Sequence, residues 1–263
     1  MFNQKIISCN NFLRNAPCCN TTPGHMCNCY NELWSDFHTR PDTYNCDKKM
    51  NYYALNYGAS YISEYYHYIS QSQLIQNVLM NNENVCIKSL GCGFAPDYYA
   101  IQKYCADNGI NCNINYTGYD ISNHWGAIRP HGNNISFINC DISSNIDLQN
   151  ADIIIIGKVF STLLRHQLAT SFISTLTNAI TTTMPQNSIL VFNDINHVNF
   201  GRDLFDSSVA NLFSVSNKFY FNGYQGQNWT HINQPNIIYQ IPAGLTVTPL
   251  PNTGRTIIFE YRK

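Results

Sequence analysis

Charge is scarce in this chain. Lysine, arginine, aspartate and glutamate make up only 12% of its 263 residues, and the formal net charge is −1. That is about half the charged fraction of an average soluble domain. Such a balance offers no global attraction to a polyanion, so a nucleic-acid partner would need a local basic patch. Long apolar runs are also missing: no stretch approaches the ~18 residues of a membrane span. The start, M-F-N-Q-K-I-I-S-C-N-N, has too short an apolar part to read as a secretory signal. A cytoplasmic location with reduced thiols is therefore expected, and the N-x-S/T sequons at Asn20, Asn115, Asn134 and Asn228 are given no weight. Internal repeats and low-complexity tracts are absent too.

What the chain does have is a hydrophobic fraction of 44%, enough for a substantial core in one α/β domain with an appendage. Residues 85–263 alternate between strand-like and helix-like segments, which implies a mainly parallel sheet. Strands are predicted at Val85–Leu90, Ile114–Tyr119, Ile135–Asn139, Ala151–Ile156, Ser188–Asn193, Ile237–Ile241 and Thr256–Tyr261. Helices are predicted at Ser161–Thr181 and Val209–Phe213. Residues 48–80 read as helical, with Tyr53, Tyr57, Tyr61, Tyr65 and Tyr68 on one face. That stripe is read first as a core-facing surface with its hydroxyls at the rim, and second as a substrate-contacting one.

The most informative segment is Cys86–Asp97, C-I-K-S-L-G-C-G-F-A-P-D. An apolar strand ends in Gly91-Cys92-Gly93, and a helix-compatible stretch begins after Pro96. Glycines in a strand–turn–helix let the backbone approach a nucleotide-like ligand. The second strand ends in Asp120-Ile121-Ser122, the third in Cys140-Asp141-Ile142, and the fourth in Gly157-Lys158-Val159. In an open α/β sheet, ligands sit at the carboxyl ends of the strands. Gly91, Gly93, Asp120, Asp141 and Lys158 are thus expected to converge on one crevice. A carboxylate at the second strand end suits two ribose hydroxyls, and one at the third suits an adenine amine.

These motifs together resemble class I S-adenosylmethionine (SAM)-dependent methyltransferases. S-L-G-C-G-F-A is similar to the family's acidic-L-G-C-G-x-G, G-Y-D-I-S to its ribose motif, I-N-C-D-I to its adenine motif, and A-D-I-I-I-I-G-K-V-F-S-T-L to its fourth strand and the helix after it. The resemblance implies a Rossmann-like α/β fold: a seven-stranded, mainly parallel sheet with helices on both faces and a reversed hairpin at its end. It implies SAM contacts at Ser89, Leu90, Gly91, Cys92, Gly93, Ala95, Asp97, Asp120, Ile121, Cys140, Asp141, Ile142 and Gly157. Ser89 stands where the family has an acidic residue and Ala95 where it has a third glycine; Asp97 is the nearest carboxylate to substitute for the former. A NAD-type enzyme competes, but the pattern is G-x-G-x-A and a second acidic motif follows. Lys158 and Asp194, after the fourth and fifth strands, are the candidate catalytic residues. His124-Trp125 are candidates to flank the adenine.

Residues 1–47 read as irregular, and hold six of the eleven cysteines. In a reducing compartment, clustered cysteines suggest metal before disulfide. Zinc on Cys18, Cys27, Cys29 and Cys46 is the expectation, with Cys9, Cys19 and His25 as substitutes, and an iron–sulfur cluster as the other metal reading. The organisation expected is a cysteine-rich segment (1–47), a tyrosine-rich helical cap (48–80) and a SAM domain (81–263). RNA is the first expectation for methyl acceptor, from the cysteine segment and the tyrosine helix. A small molecule or protein side chain is the alternative, and a non-catalytic nucleotide-binding module is a third reading.

Overall fold

Four consecutive isoleucines, Ile153–Ile156, are buried on both sides of their strand. Only an inner strand of a parallel sheet covered on both faces accepts such a run. The computed structural model describes residues 2–15, 28–34 and 46–263. In chain order the elements are α1 (Phe2–Asn15), α2 (Cys29–Trp34), α3 (Asp47–Ile69), α4 (Gln73–Asn81), β1 (Asn84–Leu90), α5 (Pro96–Asp107), β2 (Asn113–Asp120), β3 (Ile135–Asn139), β4 (Ile153–Gly157), α6 (Phe160–Arg165), α7 (Ala169–Thr182), β5 (Ile189–Ile195), α8 (Arg202–Val209), β6 (Val215–Tyr220), β7 (Thr230–His231) and β8 (Thr256–Arg262).

The strands form one sheet in the order β3-β2-β1-β4-β5-β8-β6-β7. β1 pairs in parallel with β2 on one side and β4 on the other, so consecutive strands diverge there. β8 is the reversed strand, antiparallel to both β5 and β6. The sheet has eight strands rather than seven, because the two-residue β7 adds an outer edge beside β6. Side chains alternate across it. Val85, Ile87, Tyr116, Ile153, Ile155, Val191 and Ile258 face a core shared with α1, α3, α4 and α5. Leu90, Tyr119, Ile154, Ile156, Phe192 and Phe259 face a second core under α6, α7 and α8.

Several elements differ from the sequence reading. Residues 237–241 are not a strand. Ile238 N–H donates to Ser63 Oγ at 2.9 Å, so this backbone is tied to α3, while Ile237, Ile238, Tyr239 and Ile241 pack on the first core. The strand beside β8 is instead β6, whose V-S-N-K-F-Y hides its pattern behind a solvated half. The helical stretch 48–80 breaks after Ile69, and Ser72 restarts it by accepting from Ile75 N–H at 3.0 Å. The stretch 161–181 breaks into α6 and α7 at Gln167, whose φ of 61° is left-handed. The helix expected at 209–213 lies earlier, as α8, and ends in a 3-10 turn over 210–212.

The N-terminus is also more ordered than its composition suggests. α1 buries Phe2, Ile6, Cys9, Asn10 and Leu13 on one face. Asn10 Oδ1 is occupied, accepting from Thr246 N–H at 2.8 Å and Thr246 Oγ at 2.9 Å. Phe2 packs onto Gly58, where a Cβ would come within 2.5 Å of its ring, and against Phe94, Tyr99 and Tyr239. Phe2→Ala is expected to cost about 3–5 kcal/mol, as for a fully buried phenylalanine. Urea unfolding of the variant would check this; a loss below about 1 kcal/mol would mean α1 is not an integral part of the core.

Candidate functional site

The divergence of β2 and β4 from β1 opens a cleft at the strands' carboxyl ends. A cavity of about 260 Å³ lies there. Gly91, Cys92 and Gly93 of the glycine turn form its floor, and Asp120, Ile121, Cys140, Asp141 and Ile142 one wall. Gly157, Lys158, Val159, Thr162, Leu163, His166 and Leu168 form the opposite wall, and Tyr53, Tyr61 and Tyr65 of α3 with Trp125 and Phe94 close it. Ten of the residues expected from sequence thus meet in one cavity, drawn from four different strand ends.

The glycine turn has the shape that its residues require. Gly91 and Gly93 take φ of 69° and 53°, the left-handed region. A Cβ on Gly91 would lie 2.6 Å from a Val159 methyl. Asp120 ties the turn down: one oxygen accepts from Gly93 N–H and the other from Ser122 N–H, both at 2.8 Å. Burial pushes this carboxyl upward, and those two N–H groups with Arg129 oppose the shift. Each oxygen keeps lone-pair capacity for a ligand hydroxyl. Asp141 accepts from Ser143 N–H at 2.9 Å and Ser143 Oγ at 2.7 Å, which fixes its turn. Trp125 lies by the turn while His124 Nδ1 meets Asp47 at 2.6 Å.

Ser89, Leu90, Ala95, Asp97 and Asp194 do not line the cavity. Ser89 and Asp97 lie behind the turn on the first core's side. Asp97 is fully buried, bonded by Ser89 and by the Tyr116 hydroxyl at 3.1 Å and 3.2 Å. A carboxylate therefore stands beside Ser89 after all, contributed by α5. Ala95 takes a left-handed φ of 65° at the start of α5, where the resembled family has glycine. Asp194 Oδ2 accepts from Ser161 N–H at 2.9 Å at the start of α6.

Lys158 is in the cavity wall and is held by long-range partners. Its Nζ donates to Thr256 Oγ at 2.7 Å and lies 2.9 Å from Glu64 Oε2, over the Tyr61 ring at 5.0 Å. Its own φ is 56°, in the region non-glycine residues rarely occupy. Glu64 is wholly buried; its Oε1 accepts from Gly254 N–H at 3.0 Å, while among the described residues Oε2 has no hydrogen-bond partner and lies against the Lys158 ammonium. The sequence reading missed Glu64 and Thr256. A signal existed for the former: Glu64 is the only acidic residue between Asp47 and Glu83, and it falls beside the tyrosine face. Tyr65 packs against Gly157, where a Cβ would collide with its hydroxyl. Burial and the nearby Asp97, Glu64 and Asp194 push the Tyr65 hydroxyl well up, so it remains a hydrogen-bond donor at neutral pH. Lys88, odd within an apolar strand, pairs with Asp147 at 2.8 Å.

Of the expected metal ligands, Cys18 and Cys27 lie outside the described residues. Cys29 and Cys46 are buried with their sulfurs 3.4 Å apart. Among the described residues no group of three or more His, Cys, Asp or Glu is placed to hold a metal. No described helix is long and apolar enough to cross a membrane.

No family model matches this sequence, and no curated protein matches it. Solved structures similar to it include the plantazolicin methyltransferase BpumL in complex with SAH (14% identity, TM-score 0.47, covering 100% of this chain and 99% of that one). Another is the N-methyltransferase NodS from Bradyrhizobium japonicum in complex with S-adenosyl-L-homocysteine (12%, 0.46, 90% and 99%). A third is a TehB-like SAM-dependent methyltransferase from Corynebacterium glutamicum (11%, 0.45, 76% and 87%).

Two predictions concern the buried carboxylates. Burial raises Asp97 from 3.8 to about 6. Its folded pKa exceeds its unfolded one, so its contribution to stability is full below about pH 4 and lost as pH rises through about 6. At ~1.4 kcal/mol per unit, that loss is about 3 kcal/mol. Asp97→Asn is expected to gain about 2–3 kcal/mol on wild type between pH 4 and pH 7; identical pH dependence of the two proteins in urea unfolding would refute it. Lys158→Met strands Glu64 and is expected to cost about 3–5 kcal/mol, most of it recovered in the Lys158→Met/Glu64→Gln double variant. Additive losses in the double variant would mean that the two side chains are not coupled.

Proposed function

We propose that this protein is a SAM-dependent methyltransferase. The observation that supports it most is the convergence of the glycine turn with Asp120 and Asp141 on one cavity. A Gly-rich floor admits the methionine part of SAM, Asp120 suits the ribose hydroxyls, and Asp141 with Ile121 and Ile142 suits an adenine. A NAD-type reading leaves Asp141 without a role. SAM when bound supplies an electrophilic methyl group on a sulfonium. The protein's part is to orient donor and acceptor in line and to keep water out; the tyrosine-bearing helix α3 over the cavity suits the second task.

The acceptor in this reading is a small molecule. RNA, the acceptor expected from sequence, has less support: among the described residues lining the cavity, Lys158 is the only lysine or arginine, and it is paired with Glu64. RNA binding draws most of its affinity from phosphates meeting several such side chains.

For the cysteines, zinc remains our reading. Two thiolates on one tetrahedral zinc would lie about 3.8 Å apart, from Zn–S bonds of about 2.3 Å, and Cys29 and Cys46 are near that separation. Cys18 and Cys27 would complete the set. Elemental analysis of purified protein is expected to give one zinc per chain, lost in Cys29→Ser/Cys46→Ser; a metal-free, folded wild type would reject it.

Calorimetric titration tests the cofactor. SAM and S-adenosylhomocysteine are expected to bind and NAD not to. Asp120→Ala is expected to weaken both by about 10- to 100-fold, the value of a charge-assisted hydrogen bond or two. Binding of NAD alone would overturn the proposal.

A further inference from the structure

The cavity lining brings one lysine, Lys158, together with Thr162, His166 and the rings of Tyr53, Tyr61, Tyr65 and Trp125. Lys158 is positioned there by two fixed partners, Thr256 at 2.7 Å and the buried Glu64 at 2.9 Å. An ammonium has three N–H groups. One is donated to Thr256, and Glu64 is met as a charge rather than through a directed hydrogen bond, so N–H capacity remains for a group in the cavity that Lys158 lines. Tyr53, Tyr61 and Tyr65 stand with Trp125 over the cavity, the Tyr53 and Trp125 rings edge to face at 5.6 Å. Gly157, next to Lys158, ends the strand at which the methyl group is expected.

From this geometry we propose that the acceptor is a small aromatic molecule with an ionisable hydroxyl, and that Lys158 holds it as the oxyanion while its oxygen is methylated. The proposal rests on the SAM reading of the same cavity. Charge decides the acceptor type. The donor is a sulfonium cation. A neutral amine acceptor leaves a cation behind in a site of low dielectric, and its single lone pair cannot accept from the Lys158 N–H while it attacks the methyl group. An oxyanion acceptor turns two opposite charges into two neutral products. Glu64 balances Lys158 beforehand, so the dyad presents a directed N–H without a net charge that would repel the sulfonium. The ring surfaces of the tyrosines and Trp125 suit a flat apolar body.

The step balances without a further reactant. The acceptor hydroxyl loses its proton to solvent before or during binding. An oxygen lone pair then forms the C–O bond to the methyl carbon, the C–S bond breaks, and its electron pair stays on sulfur. Lys158 takes no proton from the acceptor, and Glu64 is a positioning residue for it.

The test uses 4-nitrophenol, whose anion alone absorbs in the visible, added to full-length protein loaded with S-adenosylhomocysteine at a pH where the free phenol is protonated. Bound probe is expected to show the phenolate band. Lys158→Met/Glu64→Gln, chosen because it avoids a stranded buried carboxylate, is expected to lose probe binding by at least about tenfold, the worth of a charge-assisted hydrogen bond. Lys158→Arg is expected to restore part of the band. With labelled SAM, the methyl group is expected on phenols and not on phenylethylamine or an oligoribonucleotide. Probe absent or bound as the neutral phenol, or label entering the amine or the RNA, would overturn the proposal while leaving the SAM site intact. So would a tenfold loss of S-adenosylhomocysteine in the double variant, since Lys158 would then hold the cofactor. If wild type binds neither SAM nor its product, the cofactor reading falls and this proposal with it.

Discussion

Everything at the site depends on the pairing of β1 with a parallel strand on each side. β2 and β4 leave it in opposite directions along the sheet, and the helices that cover them pack on opposite faces. The chain cannot close the gap between their carboxyl ends without giving up one of the two ladders. Glycine at 91 and 93, the turn at Asp120 and the bend at Gly157–Lys158 are all consequences of that one branching. The helices then determine what the gap is lined with. α5 springs from the glycine turn beneath it, and α3 lies across its top with three tyrosines.

How much of this was legible in the sequence follows from how far apart the interacting residues are. The glycine turn and the aspartates at the ends of β2 and β3 could be read because each is a local event: a strand stops, and the residue that stops it faces the cavity. Strands β1 to β5 and β8 were legible for the same reason, as β-branched runs with clear punctuation. Glu64 was not, because its meaning depends on Lys158 and on Gly254, 190 residues further along the chain. Thr256 was missed likewise, 98 residues from the lysine it fixes. α1 hid because cysteine and asparagine occupy positions of its buried face, so no apolar period was visible. β6 hid behind a half-solvated strand, while the more apolar 237–241 attracted the strand reading and turned out to be a loop packed on α3.

Strain and burial gather around the same few positions. Ala95 and Lys158 both hold left-handed backbone that glycine would adopt without cost. Each lies one step beyond a strand or turn that faces the cavity. Asp97, Asp120 and Asp194 are carboxylates whose burial opposes their ionisation, and each is compensated by backbone or hydroxyl donors. Asp97 of α5 and Ser89 of β1 meet behind the turn, a pair that only the fold brings together.

The bond from Gly93 N–H to Asp120 has one more consequence. Because the carboxylate clasps the turn, the ends of β1 and β2 are latched to each other at the cavity. A ligand arriving there need not organise its own receptor, and no loop-ordering entropy has to be repaid from its contacts. The same carboxylate therefore fixes the backbone of the turn and lines the space beside it, so the shape of that wall is set by one of its own residues.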